Sequence, residues 1–204
     1  MDFSDYTRDL LATDFDASRV LHRYFHSRPS AAFRDAPPEE EPDFKWDLAR
    51  RLHDALGVPL HPLELVVCGS AQLGFSPVPD KLGKAFDPSS SDMDIAIVSP
   101  DLFDLCWHEL QYNPPARATR ERIADDLFWG FINPANVYKV SKIVHKWWDV
   151  FGKTKTPRAN GVRGRLYRDY WSMQAYHTLA IHRGRDALSG KRVQGVATIR
   201  GANT

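Results

Sequence analysis

Two aspartates one residue apart, Asp92 and Asp94, head the apolar run Ile95-Ala96-Ile97-Val98. Side chains on a strand alternate with period two, so both carboxylates leave the same face. Two carboxylates held this close repel unless a positive charge sits between them. A hard divalent ion is the natural partner, Mg2+ first and Mn2+ as its substitute. Upstream, Leu63 to Cys68 reads as an earlier strand that ends in Gly69-Ser70, and the Ala-Gln-Leu segment after it can open a helix. Such a turn presents backbone N–H groups and a hydroxyl to a phosphate. Either element alone is commonplace, since Gly-Ser often follows a strand and aspartate suits turns and helix caps. Together, and in this order, they describe a metal and phosphate site.

The elements that position these residues follow from periodicity and punctuation. Thr13 or Asp14 caps a first helix that turns Phe15, Val20, Leu21, Tyr24 and Phe25 inward. Residues 29 to 42 form an acidic linker whose prolines forbid a helix through its middle. A helix over 43–56 follows, with Phe44, Leu48, Leu52 and Leu56 at four-residue spacing, stopped by Gly57 with Pro59 beyond. After the two strands, Ser99-Pro100-Asp101 starts a helix whose core face is Leu102, Phe103, Leu105, Cys106 and Leu110. Beyond Pro114-Pro115 the pattern is mainly helical: 118–128, 136–151 and 169–182, with a loop at Asn133-Pro134-Ala135. A third strand is expected at 161–168 or 192–199, and the polar β pattern from 190 to 204 suits an edge strand or a tail. The fold class is α+β: a small mixed sheet flanked by helices, with a mainly helical C-terminal half. Its parts are an N-terminal helix and linker (1–42), a core (43–112) and a helical part packed on that core (113–204).

Strand, Gly69-Ser70, intervening loop or helix, then Ser91-Asp92-Met93-Asp94 entering a second strand resembles the DNA polymerase β-type nucleotidyltransferase superfamily. Within it, the pattern is most similar to bacterial oligoadenylate-synthetase-like and cyclic-nucleotide-synthase-like enzymes and to minimal nucleotidyltransferases. The match spans roughly residues 44 to 99. The resemblance implies a nucleotidyltransferase-type sheet, Mg2+ or Mn2+ on Asp92 and Asp94, and an NTP, ATP or GTP, bound through Gly69, Ser70 and Ser91. Lys81 or Lys84, in the unusually long connection Ala71 to Ser91, is a further phosphate candidate. Active members of the superfamily carry a third carboxylate on a later strand. Asp149 falls in a helical pattern, which leaves Asp169 as the candidate. The implied reaction moves a nucleoside monophosphate from the NTP to a nucleotide, an RNA end or a protein side chain. The implied setting is bacterial defence, including antiviral defence, or toxin-like growth control.

The segment 152–168 carries Lys153, Lys155, Arg158, Arg163, Arg165 and Arg168 with no acid among them. Arg163 and Arg165 are its candidates for the triphosphate, since guanidinium forks match phosphate oxygens. Gly152-Lys153-Thr154 lacks the upstream glycine and strand of a P-loop. Tyr138, Trp147, Trp148, Tyr167, Tyr170 and Trp171 are read chiefly as core residues with the option of stacking on a base. His145, His177 and His182 have no partner at metal-ligand spacing.

Over 204 residues, Lys+Arg 27 against Asp+Glu 26 leaves a net charge of +1, which excludes a generally cationic nucleic-acid coat. With 43% hydrophobic residues the chain can bury one good core. Cys68 and Cys106 fall in apolar patterns and are expected as buried thiols of a reducing compartment. The start is acidic and no long apolar stretch follows, so a cytoplasmic protein without signal peptide or membrane span is expected. Two further readings stand beside the enzyme. One is a nucleotidyltransferase fold degenerated into a binding or regulatory module; the other is a nucleic-acid-binding protein using the basic 152–168 loop. The oligomeric state is not readable.

Overall fold

The structure is a computed structural model that describes residues 2–190. Asp2 accepts a hydrogen bond from the Ser4 N–H and starts α1 (Phe3–Leu11), a helix absent from the sequence reading. Asp16, rather than Thr13 or Asp14, caps α2 (Ala17–Leu21), which runs into a π-helical turn at His22–His26. The acidic linker is not a free tether: Ser30, Ala32 and Phe33 are buried. The next helix, α3 (Glu40–Leu56), begins before the expected Asp43. Pro42 does not prevent this, because first-turn N–H groups have no intrahelical acceptor to lose. Gly57, at φ 71°, closes the helix as expected.

Strand β1 (Leu65–Cys68), the short α4 (Gly69–Leu73) and β2 (Asp92–Val98) come next. The chain then makes a long excursion. It runs through α5 (Pro100–Tyr112), α6 (Arg117–Phe128), β3 (Phe131–Ile132), α7 (Pro134–Val137) and α8 (Lys142–Lys153) before β4 (Gly161–Tyr167) and α9 (Tyr170–Leu188). One helix over 136–151 was expected, but Ser141 caps a new helix there by accepting from the Val144 N–H. Leu105, expected inside, is 39% exposed. The alternative strand at 192–199 lies outside the described residues.

The sheet is mixed, in the order β1-β2-β4-β3, and the α+β class holds. β2 is antiparallel to β1 and parallel to β4, with β3 antiparallel to β4 at the edge. A parallel neighbour needs a crossover, which the excursion α5 to α8 supplies. Because β4 pairs directly with β2, the sheet is built across the expected boundary at residue 112.

Period two then sorts the side chains. Met93, Ile95 and Ile97 of β2 share one face with Leu65 and Val67 of β1 and Val162 and Leu166 of β4. They form the main core with Leu52, Leu102, Cys106, Val144 and Trp147 from the helices. On the other face, Ala96 and Val98 join Cys68, Phe131 and Tyr167 beneath Met173 of α9. The helices α1 and α2 pack with Phe75 and Ile181 in a third cluster beside α9. The second face is thus covered at one end only. Asp92 and Asp94 lie toward the other.

Cys68 and Cys106 are both free and buried, and burial pushes each thiol up to about 12. No helix among the described residues is long and apolar enough to cross a membrane.

Candidate active site: a cleft of paired carboxylates and arginines

The register fixes the site. Asp94 is opposite Cys68 on one side and Arg163 on the other, while Asp92 is opposite Gly161 and Ala96 is opposite Arg165. Asp92, Asp94, Arg163 and Arg165 therefore leave the same face of two adjacent strands. The two acids stand on β2 and the two bases on the adjacent β4.

The carboxylates lean toward opposite neighbours. Asp94 reaches the Gly-Ser bend: a Cβ on Gly69 would stand 3.1 Å from Asp94 Oδ2. Gly69 also sits at φ 62°, a left-handed conformation that favours glycine. Asp92 leans toward β4, where a Cβ on Gly161 would stand 2.7 Å from its Oδ1. Its Oδ2 forms an ion pair with Arg163 Nε at 2.7 Å, with the arginine side chain 63% exposed. That ion pair is open to water, and exposed pairs of this kind contribute at most about 1 kcal/mol. Arg163 can leave Asp92 at small cost.

Asp94 has no such partner among the described residues. Solvent reaches its side chain, yet protein atoms crowd the carboxyl group. The loss of surrounding water raises its pKa above the ordinary carboxylate value; Arg165 and Arg163 oppose that shift, and the charge of Asp92 adds to it. A carboxylate in this position is a ready ligand for a cation.

Arg165 lies deeper. Its guanidinium sits over the ring of Tyr176 at 4.7 Å and over that of Phe131 at 5.5 Å. Burial opposes its charge, but Tyr167, Tyr176 and Asp94 hold its pKa above the usual value. Cation–π contacts of this kind fix a guanidinium in place and leave its N–H edge available.

The remaining expected site residues are dispersed. Ser70 stands beside Gly69 in α4, partly exposed. Ser91 directs its hydroxyl to the backbone N–H of Asp87, within the loop that leads to β2. Lys84 is exposed, and its carbonyl accepts from the Ser76 N–H. Asp169 is not with the acidic pair. It follows the far end of β4, about 20 Å along the strand from Gly161 at about 3.3 Å per residue. There its carboxylate caps α9 by accepting from the Ser172 N–H at 2.7 Å. The third-ligand expectation is thereby corrected.

The basic 152–168 loop is corrected as well. From Gly161 it is β4, inside the sheet, at the first of the two places expected for a third strand. Arg158, which looked unopposed, forms a bidentate pair with Glu40 at 2.7 and 2.6 Å, 118 residues away. Of the aromatics, Trp147 and Tyr167 are core, Tyr138 stacks on Trp148 at 5.2 Å, and Trp171 is 79% exposed.

No family model, curated protein or solved structure matches the chain. What the site can do is therefore argued from its own residues. Among the described residues no three His, Cys, Asp or Glu side chains gather as a metal cluster. A pair of carboxylates is nevertheless sufficient for Mg2+, which keeps most of its waters and takes other oxygens from bound phosphates. The crowded carboxylate of Asp94, which has no ion pair among the described residues, fits such an ion.

Gly161, Phe131 and Tyr176 were missed from sequence. A strand over 161–168 was expected, but nothing in its alternation marks Gly161 as the neighbour of Asp92. The aromatic pair that supports Arg165 has no sequence signal, since it comes from two distant elements.

Proposed function

We propose that the protein is a metal-dependent nucleotidyltransferase that moves a nucleoside monophosphate from an NTP to an acceptor. The observation that carries this reading is the placement of Asp94 against the Gly69 bend, next to Asp92 and two arginines on the adjacent strand. Asp92 and Asp94 would hold Mg2+ or Mn2+, which when bound neutralises phosphate charge and favours the attacking hydroxyl as its anion. Gly69 and Ser70 contribute N–H groups at the bend, where phosphate oxygens are received. Arg165, fixed by its aromatic supports, offers donors to the same anion. Arg163 exchanges its carboxylate for phosphate when the nucleotide enters, which frees Asp92 for the metal. Positioning and electrostatics of this kind supply most of the rate in phosphoryl-type transfer.

The test is release of pyrophosphate from each of the four NTPs with Mg2+ or Mn2+. Wild-type protein is expected to release it, and Asp92→Ala/Asp94→Ala to lose the activity while still folding. Release by the double variant at the wild-type rate would remove the proposal.

One observation favours a second reading. β4 brings Arg163 and Arg165 to the sheet where the resemblance implies a third carboxylate on a later strand. A fold of this kind that binds NTP without turning it over would have that substitution, and NTP binding without pyrophosphate release identifies it.

A further inference from the structure

A second opening lies beside the cleft. The helices α2 and α9, the π-helical turn and the strand β3 enclose a cavity of about 450 Å³, within the range that holds small ligands. Its walls include Trp129, Phe131, Trp171 and Tyr176, with hydrogen-bonding groups from Gln174 and Thr178. No Asp, Glu, Lys or Arg among the described residues lines it. His22 and His26, the two ends of the π-helical turn, also face it, as does His182 of α9. Partial burial, and then His22, lower the pKa of His26, so that imidazole is neutral near pH 7. Single π turns of this type commonly occur at functional sites. At the mouth, Trp171 is 79% and Trp129 45% exposed, and Phe128 beside them is 82% exposed. Grouped aromatic surface of that kind is unfavourable in water unless something covers it.

We infer that this cavity is a binding site for an uncharged, flat heterocycle of nucleoside size. Indole faces stack on any π system, and two polar side chains on successive turns of α9 provide edge hydrogen bonds. Among the described residues no carboxylate, ammonium or guanidinium lines the cavity to pair with a charged ligand, and burying an unpaired charge is strongly unfavourable. Phe131 and Tyr176 are shared walls: their rings line the cavity and also carry Arg165. Occupancy of the cavity therefore bears on the guanidinium that faces Asp94. The cavity and the cleft share no carboxylate, so each stands or falls separately.

The test is calorimetric titration of the full chain, without metal, with uncharged purine and pyrimidine nucleosides. At least one is expected to bind with Kd below about 1 mM, and Ala175→Trp, which fills the cavity, to weaken it about tenfold or more. Gln174→Leu with Thr178→Val preserves volume and removes the polar groups; a loss of about fivefold or more is expected there even if the filled variant fails to fold. Asp92→Asn/Asp94→Asn is expected to bind as wild type does. Absence of binding by every nucleoside, unchanged affinity in the folded cavity variants, or loss of binding in the carboxylate variant would each overturn the assignment, the last by placing the ligand in the cleft.

Discussion

The two faces of β2 and β4 are made from the same fourteen residues by alternation, and they serve opposite ends. On one face Met93, Ile95, Ile97, Val162 and Leu166 are buried against helices, and Gly164 lets Trp147 and Phe151 approach the backbone. On the other, Asp92, Asp94, Arg163 and Arg165 gather charge that a core would not tolerate. Stability resides mainly on the first face and chemistry on the second. The crossover between these strands makes both, because a one-residue slip would exchange the faces.

The largest expected effect comes from glycines in one strand. A Cβ on Gly164 would stand 2.4 Å from Phe151 Cζ and 2.8 Å from Trp147 Nε1, inside a packed core. Gly164→Val is expected to cost about 3 kcal/mol in urea unfolding. At Gly161 the obstacle is Asp92 Oδ1, the far end of a side chain that can move. Gly161→Ala should cost less than about 1 kcal/mol while depressing pyrophosphate release, because it pushes Asp92 aside. Equal stability losses at the two glycines would erase the contrast between the faces.

His177 of α9 comes next. Its imidazole is 8% exposed, packs on Phe25, Tyr167 and Tyr176, and has Nε2 without a hydrogen-bond partner among the described residues. Burial, followed by the charges of Arg165 and His26, lowers its pKa from 6.5 to about 3. The folded state thus refuses a proton that the unfolded chain takes up below pH 6.5, so stability falls as pH drops between these values. The loss from this group is about 2 kcal/mol at pH 5. Thermal melts of His177→Phe from pH 7 to 5 should be flatter than wild type, and parallel curves would contradict the burial argument.

Asp94 carries the opposite sign. Its raised pKa means that the ionised carboxylate disfavours the fold above its folded pKa and has no effect once both states are protonated, below the ordinary value of 3.8. Asp94→Asn is therefore expected to gain stability at pH 7, a gain that shrinks toward pH 4, while abolishing transfer. Smallest of all is Arg163→Met, where loss of an exposed pair should change stability by less than about 1 kcal/mol. Its readout is tighter Mn2+ binding in the absence of nucleotide, since Asp92 no longer has a competing cation.

The acidic pair, its strand and the Gly-Ser bend could be read directly, because alternation and punctuation are local properties of the chain. The cap at Gly57 and the start of α5 at Ser99 were equally local. Elements that depend on distant partners were misread. Arg158 looked free because Glu40 is 118 residues away. Arg163 and Arg165 lie in the strand expected at 161–168, but only its register with β2 places them beside the acidic pair. Asp169 looked like a possible metal ligand because its type suits that role, but in the fold the same carboxylate caps a helix. The cavity was invisible, since its walls come from residues 18–26, 129–131 and 171–182.

The central claim is that Asp92 and Asp94 take up a divalent cation together with a nucleotide. Mn2+ titration followed by electron paramagnetic resonance, with and without a non-hydrolysable NTP, tests it most directly. Wild-type protein is expected to bind Mn2+ far more tightly when the nucleotide is present, and Asp94→Asn to lose that enhancement. The same enhancement in Asp94→Asn, or none in the wild type, would contradict the claim.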